Sequence, residues 1–164
     1  MGFQNNNGSA GSIWLTFKER IIEKMENEMK ITFPATDRNE AFARTVTAAF
    51  LVPENPTLSE LNDIKTAVSE AVTNAVIHGY HDKKGQVELS CRIKEGLLTV
   101  TVRDEGCGIP DVKKAMEAEY TSMEGERSGL GFTFMEVFMD RLFVESVPGK
   151  GTCVIMEKKL EGGK

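Results

Sequence analysis

From Thr57 to Gly79 the sequence reads as one long helix, and the rest of the chain must accommodate the two faces it presents. Wound at about 100° per residue, the run places Leu61, Ile64, Val68, Val72 and Ala75 on one side. Glu70 and Asn74, one turn apart, share a different face and point away from that stripe. A carboxylate beside a carboxamide on such a face is either a solvated surface or one wall of a site. Which of the two holds is decided by the motifs that follow it in the chain.

The helix is flanked by turn chemistry. Pro53 and Pro56 break a preceding helical run, Thr57 or Ser59 starts the long one, and Gly79 suits a left-handed C-terminal cap. Before it, Met29 to Phe33 reads as a strand closed by Pro34. Asp37 with Glu40 three residues on reads as a capping box for a helix through Phe50, with Phe42, Val46 and Phe50 as its buried stripe and Arg44 outward. After it, Gln86 to Ile93 and Leu97 to Arg103 form a hairpin across Lys94-Glu95-Gly96. A loop at 104–110, a short helix from Asp111 to about Ala118, and a loop at 119–130 come next. A helix from Gly131 to Asp140 and a last hairpin, Leu142 to Ser146 and Thr152 to Lys158, complete the order. This predicts an α+β two-layer sandwich with helices on one face of a sheet.

At 164 residues the chain is long enough for one well-buried domain, which is expected over residues 25–164. Residues 1–24 are set apart as a leader or added extension, disordered or one short helix: 1–12 are rich in Asn, Gly and Ser, while Ile13, Phe17, Ile21 and Met25 keep helical spacing. A net charge of −5 without a local Lys/Arg cluster argues against direct nucleic-acid binding. No run reaches the roughly 18 apolar residues of a membrane span. Cys91, Cys107 and Cys153 are odd in number with no C-x-x-C spacing, so neither a disulfide framework nor a zinc site is expected, and a cytoplasmic location fits.

Three further motifs carry chemistry. Asp104-x-Gly106-x-Gly108 follows a strand, where an acidic side chain can accept a hydrogen bond from an exocyclic amine such as adenine's and glycines let backbone approach a flat ring; read alone it is equally a glycine-rich turn with a capping Asp. Gly129-Leu130-Gly131 precedes a helix whose amides suit phosphate, and Arg127 can clamp phosphate oxygens; the alternative is a loop with a surface arginine. Thr152, after Gly151, either faces the same pocket or is an ordinary strand threonine. No Walker-type G-x-x-x-x-G-K-[ST], no G-x-G-x-x-G and no H-R-D with D-F-G is present.

In this order, the stretches Ser69–Tyr80, Val102–Asp111 and Glu126–Glu136 resemble the GHKL family of ATPases and kinases, which includes gyrase and the histidine kinases. The likeness is greatest to its anti-sigma serine kinases of the sporulation type, with the stress-response type the near alternative, and it covers about Met25 to Lys159. The resemblance implies the Bergerat (GHKL ATPase) fold, with a mixed, mostly antiparallel sheet. It implies binding of Mg²⁺ and ATP or ADP, and phosphorylation of a serine on an anti-anti-sigma protein by a chain that also sequesters a sigma factor. By the same resemblance, Asn74 would ligate Mg²⁺ and touch the phosphates, and Glu70 would be the general base. Asp104 would read adenine in a pocket shaped by Gly106 and Gly108, with Thr152 in support, while Arg127, Ser128, Gly129, Leu130 and Gly131 would hold the β and γ phosphates. Arg44 would lie on the partner-binding surface of a homodimer. A histidine kinase would need an upstream phosphoacceptor, and no histidine precedes Met29. A binding module without transfer chemistry would have no use for Glu70 near a γ-phosphate, where a carboxylate repels.

Overall fold

Two strands of strict alternation nucleate the sheet. In β2 (Gln86–Lys94) Val87, Leu89, Cys91 and Ile93 are buried, and in β3 (Leu97–Asp104) Leu98, Val100, Val102 and Asp104 are. Glu95 and Gly96, at φ 52° and 73°, make the two-residue left-handed turn that joins them. The computed structural model describes residues 26–81, 83–117 and 130–161. Within these, β1 (Asn27–Pro34) pairs with β2, and β5 (Gly151–Lys159) lies between β3 and β4 (Arg141–Val147), giving the order β1-β2-β3-β5-β4. The α+β two-layer architecture is as expected, but every pairing among the described residues is antiparallel rather than mixed. The reason lies in the connections: with two successive helices between β1 and β2 the chain reverses three times, an odd number, so β2 returns antiparallel beside β1.

Those helices are α1 (Asp37–Leu51) and α2 (Leu58–Asn74), the latter running on through a π-helical turn, Ala75–Gly79. A capping box starts α2: the Thr57 hydroxyl accepts from the Glu60 amide at 3.2 Å, and Glu60 Oε2 accepts from the Thr57 amide at 2.7 Å. Glu60 Oε1 also takes the amide of Glu161 at 2.6 Å, tying the helix start to the chain just past β5. Ile64, Val68 and Val72 are fully buried as expected, joined by Ala67 and Ala71, whereas Leu61 is only half-buried. Truncating Ile64 to Ala in such a core costs about 2–5 kcal/mol.

The expected stripe of α1 is displaced by one residue. Ala43, Thr47 and Leu51 are buried, while Phe42 is 46% exposed and meets Phe33 edge-on at 5.8 Å. Small side chains at 43 and 47 let α1 approach closely, and the Thr47 hydroxyl is satisfied by the Ala43 carbonyl at 2.9 Å. Nor does Asp37 cap the helix: Thr36 is the N-cap without a side-chain bond, and Glu40 instead accepts from the Ser69 hydroxyl on α2 and lies 3.6 Å from Arg44. Two shorter helices, α3 (Val112–Met116) and α4 (Gly131–Phe138), follow β3, and α4 ends two residues before the expected Asp140. Among the described residues no helix is long and apolar enough to cross a membrane.

Candidate functional site

The C-terminal half of α2 carries both ends of the site. At one end stand Glu70 and Asn74, both half-buried, facing the first residue of α4. A Cβ on Gly131 would lie 3.1 Å from Glu70 Oε2 and 3.3 Å from both side-chain atoms Nδ2 and Oδ1 of Asn74, so any larger residue would press on the ends of these two side chains. Leu130 is the N-cap and contributes no side-chain bond, so the first amides of α4 start their turn beside Glu70 and Asn74. The far end of α4 is fixed by Lys158, whose ammonium donates to the Phe138 carbonyl at 2.6 Å and lies 3.5 Å from Asp63 on α2.

About 7 Å further along the helix axis, at its last residue, lies the second end. Gly79 does not form the expected left-handed cap. It lies in the π turn, where the ring closed from the Tyr80 amide to the Ala75 carbonyl at 3.2 Å takes in one extra residue. Its neighbour is a residue two strands further along the chain: a Cβ on Gly79 would come within 2.9 Å of Asp104 Oδ1. Gly106 is pressed against the Gly79 carbonyl in return, and the Cys107 amide donates to that same carbonyl at 2.8 Å.

Asp104 closes β3 and is 6% exposed. Burial pushes its carboxyl above the usual aspartate range, and the backbone amides of Gly106, at 2.8 Å from Oδ1, and Thr152 pull the other way. Buried against Gly79 and held by these amides, the carboxylate is a hydrogen-bond acceptor among glycines. Thr152 is the partner of Asp104 in the β3–β5 register. Gly108, at φ 71°, turns the loop back against Val147. The structure thus brings together Glu70, Asn74, Leu130 and Gly131 at one end and Asp104, Gly106, Gly108 and Thr152 at the other. Arg127, Ser128 and Gly129 lie outside the described residues. Arg44 sits apart on α1, half-buried against Glu40.

Two residues that hold the Asp104 loop escape a reading of the sequence. The Tyr80 hydroxyl accepts from the Glu105 amide at 2.9 Å and donates to the Gln86 carbonyl at 2.6 Å, pinning the loop to the end of α2 and the start of β2. Ser146 on β4 accepts from the Ile109 amide at 2.8 Å. Their only signal in the sequence is position: Tyr80 adjoins Gly79, and Ser146 ends a predicted strand. Among the described residues no cluster of three or more His, Cys, Asp or Glu could hold a metal ion by itself. A hard cation here would need the amide oxygen of Asn74, which faces the start of α4, together with oxygens of a ligand.

A buried carboxylate beside one end of a helix and a polar pair facing a helix N-terminus at the other are arranged on a helix-covered antiparallel sheet, an architecture shared with known ATPase domains. The profile of the histidine kinase-like ATPase domain matches residues 33–158. Solved structures agree in fold: the RsbU and RsbW domains of Rv1364c from Mycobacterium tuberculosis superpose with a TM-score of 0.61 at 22% identity, over 82% of this chain and 32% of that one. The mycobacterial sensor histidine kinase MprB gives 0.53 at 18% identity, covering 80% and 99%. Sequence relatives narrow the family. The anti-sigma F factor of Clostridium acetobutylicum is 54% identical over 136 residues, 82% of this chain and 95% of that protein. That of Geobacillus kaustophilus is 51% identical over 142 residues, 85% and 97%. The chain belongs to the anti-sigma F factor family within the histidine kinase-like ATPases.

Proposed function

We propose that this chain binds and inhibits a sporulation sigma factor of RNA polymerase and, as an ATP-dependent protein serine kinase, phosphorylates and so inactivates the anti-anti-sigma protein that opposes it. The observation that carries the kinase half is the juxtaposition of Glu70, Asn74 and Gly131, a carboxylate and a carboxamide facing the start of a helix at close range. The sigma-binding half rests on the relatives, which are named anti-sigma F factors.

Bound Mg-ATP supplies the phosphoryl group, with the cation offsetting charge on its oxygens. Asn74 offers its amide oxygen to Mg²⁺, and the backbone of Ser128 to Gly131 with Arg127 holds the β and γ phosphates. Glu70 takes the proton of the incoming serine hydroxyl. Asp104 accepts from adenine's amine, within a recess formed by Gly106, Gly108 and Thr152. The chain works in the cytoplasm as a homodimer, and Arg44 lies on the surface its protein partners touch. ADP occupies the same base end and leaves the γ-phosphate contacts unmade.

The test is transfer of label from γ-labelled ATP to candidate anti-anti-sigma proteins, with the acceptor residue mapped. Serine phosphorylation by the wild type and none by Glu70→Gln, with ATP affinity retained in both, is the expected result. Wild-type chain that binds ATP yet labels no candidate would overturn the kinase reading.

A further inference from the structure

The Tyr80 hydroxyl stands where the sheet would otherwise have continued. The ladder between β2 and β3 runs from Lys94 with Leu97, at the two-residue turn, to Val87 with Asp104. In an antiparallel ladder hydrogen-bonded and open pairs alternate, and a two-residue turn is closed by a bonded pair. Stepping by twos from Lys94 and Leu97, the last bonded pair is Glu88 with Arg103, and Gln86 with Glu105 would be the next. That bond is not made directly. The Glu105 amide goes instead to the Tyr80 hydroxyl at 2.9 Å, and the hydroxyl donates to the Gln86 carbonyl at 2.6 Å.

Neither direction is open to choice, because an amide N–H only donates and a carbonyl only accepts. The hydroxyl is thus an extra link inserted into the ladder, two bonds in series where one would have closed it, and β3 ends at Asp104. The ring is seated against a glycine. A Cβ on Gly85 would stand 2.1, 2.3 and 2.4 Å from three Tyr80 ring atoms, so a side chain at 85 and the ring in this place exclude each other.

Where β3 stops decides how Asp104 is held. Past it the chain turns at once: the Gly106 amide bonds Asp104 Oδ1 at 2.8 Å, and the Cys107 amide bonds the Gly79 carbonyl at 2.8 Å. A ladder carried on through Glu105 would straighten the chain there and draw Gly106 away from the carboxylate. We infer that Tyr80 is a positioning residue for nucleotide binding: by standing in for the direct bond between Glu105 and Gln86, it stops β3 at Asp104 and lets the loop hold that carboxylate for the base. The inference rests on the adenine-nucleotide reading of the site. Both bonds of the Tyr80 hydroxyl go to backbone, so it acts through Asp104 and not on the ligand.

The test compares the affinity for Mg-ATP with that for magnesium inorganic triphosphate, which has phosphates but no base, in wild type, Tyr80→Phe and Gly85→Ala. Tyr80→Phe removes the link and lets Glu105 meet Gln86 directly; Gly85→Ala keeps the hydroxyl but drives the ring from its place. In both, ATP affinity should fall by about tenfold or more, with triphosphate affinity unchanged within about twofold. For Tyr80→Phe the urea midpoint should move by less than about 1 M, because the direct ladder bond replaces part of what is lost. If one variant folds poorly, the other carries the comparison. An equal loss for both ligands would mark a general loosening, and an undiminished ATP affinity would show that the loop holds Asp104 without the link; either result overturns the inference. Wild type that binds triphosphate as tightly as ATP would instead bring down the adenine reading beneath it.

Discussion

Gly79→Ala separates the base end of the site from the stability of the fold. The new methyl would stand 2.9 Å from Asp104 Oδ1 and 3.1 Å from its Cγ, well inside van der Waals contact. The helix itself has no objection: Gly79 is helical rather than left-handed, and Ala in a helix interior is favoured over Gly by up to about 1 kcal/mol. The carboxylate must therefore move. It is buried and held by the Gly106 amide at 2.8 Å, so shifting it weakens that bond and misaims the acceptor. A hydrogen bond to a charged group is worth about 1.5–3 kcal/mol, so ATP affinity should fall by roughly 10- to 150-fold. The gain in helix propensity and the partial loss of one internal bond nearly offset each other, leaving stability within about 1 kcal/mol of wild type. Calorimetric titration with ATP, run beside thermal unfolding, reads both quantities. A folded variant with undiminished ATP affinity would refute the claim that this contact aims Asp104.

Other outcomes follow from the same geometry. Asn74→Ala should abolish Mg²⁺-dependent nucleotide binding, whereas Glu70→Gln should lower phosphoryl transfer by about 10²-fold or more with binding intact; titrations with and without Mg²⁺ separate the two. Asp104 accepts an amine more strongly when ionised, and burial raises its pKa, so adenine affinity should weaken on acidification before an ordinary aspartate would protonate, and Asp104→Asn should flatten that dependence. The corresponding stability term has the opposite sense: with the folded pKa above the unfolded one, it is fully present below the unfolded pKa and lost as pH rises through the folded one. Glu60 is the reverse case, for burial pushes it up but the amides of Glu161 and Thr57, the Thr57 hydroxyl and Lys158 outweigh this and leave its carboxyl low. Its stabilisation should be present above the ordinary value of 4.5 and lost as pH falls through the folded value, and Glu60→Ala should cost about 2–3 kcal/mol in denaturant unfolding. Arg44→Ala should change stability by less than about 1 kcal/mol, since its pair with Glu40 is half exposed, and should weaken binding of the protein partners in a pull-down or titration.

What the sequence made legible was whatever depends on local order. The faces of α2, its start at Thr57, the Glu95-Gly96 turn and the placement of Asp104 at a strand end all rest on near neighbours. Where distant contacts decide, the reading slipped. Phe42 was expected inside because it is large and apolar, yet close helix packing put Ala43 and Thr47 there instead. Gly79 was read as a cap because glycine commonly ends helices, but its missing side chain makes room for a carboxylate 25 residues away in the chain. Tyr80 and Ser146 gave no warning, since nothing in a tyrosine or serine announces which far amide it will satisfy.

Because one continuous helix carries Asn74 at one end of the site and Gly79 at the other, α2 acts as a rigid ruler laid along the ligand. Whatever sits at Asp104 has its tail delivered to a fixed distance, and the two ends cannot adjust independently. A nucleotide one phosphate shorter is therefore gripped identically at its base and falls short at the other end. On the proposed reading, the difference between ATP and ADP is registered at the far end of the ruler, around Gly131 and the residues just before it, so one route for a signal that depends on it is α4, whose far end Lys158 anchors to the sheet.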